Sequence, residues 1–464
     1  MRKLLLTIFL NALCYICLVS CASKVSESTA DSRKPNVIIL YTDDQGSIDM
    51  NCYGASDLHT PNMDKLAATG VKFTQFYAAA AICSASRAAL MTGKTPLRAG
   101  LPGNASSKHG TDGLSTSEIT IAEVLKKRGY RTGHVGKWHL GYSESTMPNA
   151  QGFDYSFGHM GGCIDNYSHF FYWNGPNVHD LWENGQEIWD DGAYFQDLMA
   201  ERANAFLESN RDQSFFLYYA INLPHYPLQG TNKWREFYKD LPSPRKHYAA
   251  CISTVDERIG NLLDKLDELQ LRDNTIIIFQ SDHGHSTEIR TMGGGGNAGP
   301  YRGSKFSFFE GGIRVPAIIS WPAKIPQGET RGQLAVNVDW LPTILDLSGL
   351  SPASHHIDGK SMKEIIYNAE AATDHKSFYW TTGNQKRWAI RKDQWKLLKN
   401  PVDPTEKFPL DPEADSLFLV NLENDLSEKN NLAAENPELV KSLRAAFHRQ
   451  FNEATLGDAN KNLE

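Results

Sequence analysis

The chain has 464 residues, 41% hydrophobic and 22% charged, a balance ordinary for a folded protein and wrong for a disordered, collagen-like or multi-span membrane chain. Lys and Arg total 47 against 54 Asp and Glu, a formal charge of −7, so the chain as a whole does not attract nucleic acid or other polyanions. An anionic substrate would need a local basic pocket or a bound cation.

Arg2 and Lys3 precede the uncharged, mostly apolar run Leu4 to Val19, which has the plan of a secretory signal and is too short for a membrane span. The run ends Leu18-Val19-Ser20-Cys21, which resembles a bacterial lipobox with Cys21 as the lipidated first mature residue. Cleavage near Ala22-Ser23 and an uncleaved anchor are the alternatives. Loss of residues 1–20 leaves 45 basic against 54 acidic residues, a charge of −9. Ser23 to Lys34 is polar and reads as a flexible tether within residues 21–34. The expectation is an exported, membrane-anchored lipoprotein, periplasmic or on the outer membrane or cell surface. Seven cysteines stand at 14, 17, 21, 52, 83, 163 and 251, with no CxxC pair beyond the leader, which argues against a zinc ribbon or thioredoxin site.

Asn36 to Tyr41 is mostly apolar and predicts a fully buried strand of a parallel sheet. Thr60-Pro61 predicts a helix start and Gly70 its stop, with a strand over Val71–Tyr77. Ser117–Arg128 predicts a helix ended by Gly129, Arg131–Val135 a strand, Tyr194–Leu207 a helix and Ser214–Ile221 an aromatic-rich strand. Ile252, Val255, Ile259, Leu262, Leu263 and Leu266 hold helical spacing. Thr275–Phe279 and Ala317–Trp321 are further strands, with a helix near Leu341–Leu347. Strands alternating with helices imply an α/β fold around a mostly parallel sheet, assigned to residues 35–370. Short aromatic strands at Phe378–Trp380, Arg387–Ile390, Trp395–Leu398 and Leu417–Leu422 predict an antiparallel sheet. An amphipathic helix through Leu439, Leu443, Phe447 and Phe451 completes a smaller α+β subdomain over 371–464.

Ligands of parallel α/β sheets gather beyond the carboxyl ends of strands. The first buried strand leads into Asp43-Asp44-Gln45-Gly46, and a second into Ser281-Asp282-His283-Gly284. Adjacent carboxylates repel unless a cation neutralises them, and oxygen-rich ligands favour calcium or magnesium. Either cluster alone reads equally well as a loop with helix-capping aspartates. Cys83 precedes a short helix over Arg87–Met91, a position that favours anions, although a lone cysteine of this kind is more often structural.

Cys83-Ser84-Ala85-Ser86-Arg87 followed by Ala88-Ala89-Leu90-Met91-Thr92-Gly93 resembles the signature of the formylglycine-dependent sulfatases. Gly136-Lys137-Trp138-His139-Leu140-Gly141, Pro224-His225-Tyr226-Pro227, Gly303-Ser304-Lys305 and Glu310-Gly311-Gly312-Ile313-Arg314-Val315-Pro316 are similar to further motifs of that family, in its order. Leu422-Glu423-Asn424-Asp425 with Glu428 to Leu432 resembles the signature of its C-terminal subdomain. Two positions depart from the usual pattern. Ala85 stands where Pro is usual, which resembles variants accepted by anaerobic, radical-type maturases, and His283 stands where many members have Asn.

The resemblance implies an alkaline-phosphatase-like fold and a sulfuric ester hydrolase. It implies that a maturase oxidises Cys83 to Cα-formylglycine (3-oxoalanine). Asp43, Asp44, Asp282, His283 and modified Cys83 would hold one calcium. The formylglycine hydrate would attack sulfur, and His139 would take the remaining proton as the aldehyde re-forms and sulfate leaves. Arg87, Lys137 and Lys305 would stabilise developing charge, and His225 with Lys305 would serve the leaving oxygen. A phosphodiesterase or phosphonate hydrolase of the same superfamily is the chemical alternative. A lipoprotein that binds sulfated glycans without turning them over is the non-enzymatic one. The expected substrates are sulfated polysaccharides or their oligosaccharides, algal (ulvan or carrageenan) or glycosaminoglycan. The loop Gly158–Asn184 is the expected source of specificity, with Asp165, Asn166, His169, Tyr172 and Trp173 suited to sugars.

Overall fold

The computed structural model describes residues 33–172 and 177–459. The N-terminal apolar run, Cys21, the tether through residue 32 and Trp173 lie outside the described residues. Among the described residues no helix is long and apolar enough to cross a membrane.

A ten-stranded sheet organises the chain. Across it run Glu329–Arg331, Gly70–Phe73, Ala317–Ser320, Thr275–Ser281, Asn36–Thr42, Phe215–Ala220, Arg131–Lys137, Tyr155–His159, Trp182–Glu183 and Gln186–Glu187. The five strands from Thr275–Ser281 to Tyr155–His159 are mutually parallel. Ala317–Ser320 is antiparallel to both of its neighbours, and the two-residue strands at the far edge are antiparallel as well.

Side chains alternate across the strands and feed two cores. Ile39, Tyr41, Tyr218 and Ile278 pack toward Leu90, Val124 and Leu341 on one face. Leu40, Leu217, Tyr219 and Ile277 pack toward Leu66, Leu207, Val255 and Ile259 on the other. Both faces are covered by helices, so these strands read as continuous apolar runs rather than alternating ones. The long helix Arg245–Glu268 supplies the spacing from Ile252 to Leu266, and all six of those residues are buried.

Several predicted elements change. Val71–Tyr77 is two strands, Gly70–Phe73 and Phe76–Tyr77, because the second leaves the main sheet to pair with Ala335–Val336. The Ser117–Arg128 helix shortens to Ile121–Lys126, because Thr120 and Glu123 form a reciprocal capping box that starts it later.

Phe378–Thr381, Trp388–Lys392, Trp395–Lys399 and Leu417–Asn421 form a four-stranded antiparallel sheet. One face sets Trp380, Leu398 and Phe418 against Tyr77, Phe309 and Ile313. The other sets Trp388, Ile390 and Leu419 against Leu443, Phe447 and Phe451 of the helix Pro437–Ala459. Phe447 stacks on Trp388 at 4.2 Å, and full burial of such a ring contributes about 1.5–3 kcal/mol. Charged groups add to this packing: Lys396, fully buried, lies 2.9 Å from Glu310 of the helix Glu310–Ile313 and 3.0 Å from Glu428. The described residues from Pro35 onward form one compact unit.

Candidate active site

Four adjacent parallel strands end at the same edge and carry the candidate residues there. Thr42 pairs with Ser281, which places Asp43-Asp44 beside Asp282-His283. Phe215–Ala220 leads toward His225, and Arg131–Lys137 ends in Lys137, two residues before His139. Backbone links fix the central pair: the Asp282 amide donates to the Thr42 carbonyl at 2.9 Å and the Asp44 amide to the Asp282 carboxylate at 3.2 Å. Asp44 and His139 hold φ of 63° and 52°, the left-handed region that non-glycine residues rarely occupy. Gly284 follows at a crossing so close that a Cβ would sit 1.9 Å from the Gly311 carbonyl oxygen.

The helix Cys83–Thr92 points its first residue into this edge. Cys83 Sγ lies 3.7 Å from Asp43 Oδ1 and 3.3 Å from His283 Nε2. One turn later, Arg87 is fully buried, 3.0 Å from Asp282 and 3.4 Å from Asp43, and donates to the Tyr218 hydroxyl at 3.1 Å. Ser84 Oγ donates to the His139 carbonyl at 2.6 Å and accepts from the Ala105 amide at 2.9 Å. Ser86 Oγ donates to the Asp282 carbonyl at 2.6 Å. Ala85 is fully buried. Each residue from Cys83 to Arg87 therefore faces either the site or the packing that holds it.

Three cations oppose three carboxylates. Lys137 pairs with Asp43, Lys305 sits 2.8 Å from Asp44, and Arg87 joins Asp282 to Asp43. Burial pushes the Asp282 carboxyl up, and the neighbouring Asp43 adds to that. Burial likewise raises Asp44 against the opposing charge of Lys305. Burial would also raise the Cys83 thiol, but Lys137 and Lys305 outweigh it and bring the group down to about 6. At Cys163 burial outweighs the pull of Lys137, Arg290 and Lys305, at Cys251 it outweighs that of Arg235, and each thiol is pushed up to about 12. Burial and nearby lysines hold His139 and His225 well below the ordinary imidazole range, so both are neutral. His283 goes the other way, up to about 9: burial lowers it, while Asp282 and Cys83 raise it more.

Asp43, Asp44, Cys83 and His283 each offer a ligating atom within 4.8 Å of the others, so the donor set fits a divalent ion. Asp282 stands next to them, with its carboxylate engaged by Arg87 and the Asp44 amide. Cys83, His139, His225 and Lys305 line one open cleft of about 830 Å³. Lys108, His109, Phe171, Tyr226, Arg290 and Phe306 line it too.

Not every expected residue joins the site. Asp165 and His169 do not line the cleft. Asp165 accepts from the Tyr167 and Ser168 amides and from Gln229, so it shapes its own turn. His169 is fully buried and bonds the Ala193 carbonyl at 3.1 Å. In their place come Lys108, His109 and Arg290, from loops with no sequence period to mark them. Ser84 and Ser86 lay inside the motif, but only their bonds show what they do.

The family model for sulfatases matches residues 35–350, and the model for the N-sulphoglucosamine sulphohydrolase C-terminal region matches 303–455. Arylsulfatase J of Mus musculus is 32% identical, over 92% of this chain and 77% of the relative. An N-acetylgalactosamine-6-O-sulfatase of Bacteroides thetaiotaomicron is 30% identical, over 92% of this chain and 95% of the relative. Among solved structures, Ps i-CgsB in complex with k-i-k-neocarrahexaose has a TM-score of 0.80 at 31% identity, covering 90% of this chain and 93% of that one. The ordered strand-end motifs and the matched span agree: the chain belongs to the sulfatase family and is a sulfuric ester hydrolase.

Proposed function

We propose that this enzyme removes sulfate from sulfated polysaccharides or their oligosaccharides, with residue 83 as nucleophile after a separate maturase converts its thiol to Cα-formylglycine. The observation that carries this reading is the setting of Cys83: first residue of its helix, opening on the cleft, between Asp43 and His283, with its thiol lowered by two lysines. The conversion supplies a hydrated aldehyde, an oxygen nucleophile with a route back to the aldehyde when sulfate leaves.

Asp43, Asp44, Asp282 and His283, with the side chain at 83, would hold calcium, the ion that several carboxylates select over softer metals. Calcium when bound supplies positive charge for the sulfate oxygens. The three cations already balance the three carboxylates, so such an ion leaves the site net positive inside an acidic protein. Lys305, on the cleft, keeps its proton and offers it toward the leaving oxygen. His225 spends its Nδ1 proton on the Tyr226 carbonyl at 2.9 Å, which leaves Nε2 as a lone pair. His139 is neutral, with Nδ1 engaged by no group among the described residues, and accepts the proton released by residue 83. Arg87 and Lys137 hold Asp43 and Asp282 in register behind them.

An open cleft with Lys108 and Arg290 beside Phe171, Tyr226 and Phe306 suits an anionic sugar chain, cations for its charges and aromatic faces for its rings. The carrahexaose bound to Ps i-CgsB and the name of the Bacteroides relative support a glycan. The proposal includes export and a lipid anchor at Cys21, supported by the Leu4 to Val19 run and the lipobox-like residues after it. A panel of defined sulfated oligosaccharides, from carrageenan, ulvan and glycosaminoglycans, tests the substrate class. Sulfate release from at least one, lost in Cys83→Ala with an unchanged far-UV spectrum, is the expected outcome. Turnover of sulfated steroids alone, or turnover retained in Cys83→Ala, would overturn it.

A further inference from the structure

A second cluster of potential ligands lies in the loop region flanking the cleft. His169 Nε2 is 3.1 Å from the Ala193 carbonyl, which can only accept, so Nε2 carries the proton and Nδ1 a lone pair. His179 Nδ1 is 2.9 Å from Glu187 Oε1, a carboxylate that accepts its proton, so Nε2 is the nitrogen left for a ligand. Both remaining nitrogens, His169 Nδ1 and His179 Nε2, are buried and have no hydrogen-bond partner among the described residues. His169 is fully buried and His179 is 5% exposed. His169, His179 and the exposed Asp191 each offer a ligating atom within 4.8 Å of the others. Two unpartnered buried nitrogens in a group with a carboxylate are the setting that a bound cation satisfies.

The geometry points to a structural site for a first-row divalent ion, zinc by preference, held by His169, His179 and Asp191. Two imidazoles and one carboxylate suit zinc and not calcium, which takes six to eight oxygens. The outer contacts match as well. A metal-bound histidine commonly donates its far N–H to a carbonyl or carboxylate, and here Ala193 and Glu187 take those two roles. Both rings are held before any ion arrives: His179 stacks on Trp189 at 3.7 Å and 5°, and His169 packs near Phe195. Zinc at about 2.0–2.1 Å from each ligand needs the ligand atoms roughly 3.4 Å apart. From separations within 4.8 Å, the three groups need to close by no more than about 1.4 Å, and water would fill the fourth position on the exposed side of Asp191.

Such an ion would tie the short hairpin of Phe170–Phe171 and Val178–His179 to the turn at 190–193. Phe171 and Val178 line the cleft, so the ion would fix a wall of the substrate site without touching the reacting groups.

The test is zinc content and affinity of the full chain in a Cys83→Ala background, which removes the thiol that could compete for zinc. The protein is stripped with a chelator, reloaded, and titrated against a chromogenic zinc chelator. One zinc per chain is expected. Asp191→Asn, on an exposed side chain that leaves the packing intact, should weaken it by more than the 10–100-fold typical of losing an outer-shell partner, and His179→Gln should lose it. Zinc should also raise the thermal midpoint of the parent and not of Asp191→Asn. No retained zinc in the parent, or equal zinc affinity in the parent and both variants, would overturn the assignment.

Discussion

Replacing Arg87 with Met puts the electrostatics of the site to a numerical test. The guanidinium is fully buried and contacts Asp282 at 3.0 Å and Asp43 at 3.4 Å. After its removal Asp43 still has Lys137. Asp282 keeps the Asp44 amide at 3.2 Å and His283 at 3.5 Å but loses the cation at 3.0 Å. The loss is therefore one broken buried pair rather than two, about 3–5 kcal/mol of stability. Arg87→Met/Asp282→Asn leaves no such stranded charge and should regain more than about 1 kcal/mol relative to the sum of the single losses. Urea unfolding in the presence of a calcium chelator reads this without metal linkage. Hydrolysis of an aryl sulfate should fall about 10²–10³-fold in the single variant and stay low in the double one, because the lost charge also held the site's carboxylates in register. Strictly additive stability losses, or an Arg87→Met protein as stable and active as its parent, would refute the reasoning.

Three further outcomes follow from other parts of the molecule. Burial raises Glu428 from its ordinary value near 4.5 to about 7, with Lys396 opposing and Glu310 adding to the rise. The folded protein thus holds a proton there that the unfolded chain has lost. The stability this contributes is complete below about pH 4.5 and is lost as pH rises through 7, by up to about 1.4 kcal/mol per unit. Glu428→Gln should flatten that slope, and parallel pH curves for parent and variant would contradict it. Ser84→Ala strands the His139 carbonyl and the Ala105 amide, costs about 1–3 kcal/mol and should lower kcat more than KM in a steady-state assay. Chelation should abolish turnover and calcium restore it, with Asp44→Asn losing both bound calcium and activity; full activity in the stripped protein would contradict the ligand set.

Much of the fold was legible because the parallel strands are buried on both faces and appear as unbroken apolar runs, as at Asn36–Thr42 and Thr275–Ser281. Their order in the sheet was not. Pairing of Asn36–Thr42 with strands far along the chain is non-local, and no local pattern encodes it. Tyr155–His159 and the edge strands Trp182–Glu183 and Gln186–Glu187 are too short or too polar to give a period. The helix at Cys83 starts four residues before the expected Arg87, because Cys83 and Ser84 are poor helix formers that tertiary bonds hold in place. At the site, Asp43, Asp44, Asp282 and His283 were readable from their strand-end motifs, and Cys83 from the family signature that opens its helix. Lys108, His109 and Arg290 were not, because a charged residue in an aperiodic loop looks the same whether it faces solvent or a cleft. Asp165 and His169 show the converse: polar residues in the right loop, used to build the loop itself.

The proposed chemistry turns on the state of residue 83 in the active enzyme. Mass spectrometry of the peptide spanning residues 82–87, from protein made together with a formylglycine maturase and assayed for sulfate release in parallel, tests it most directly. Loss of the sulfur and an aldehyde at residue 83 are expected, in a fraction that tracks specific activity across preparations. An unmodified thiol in fully active protein would contradict it.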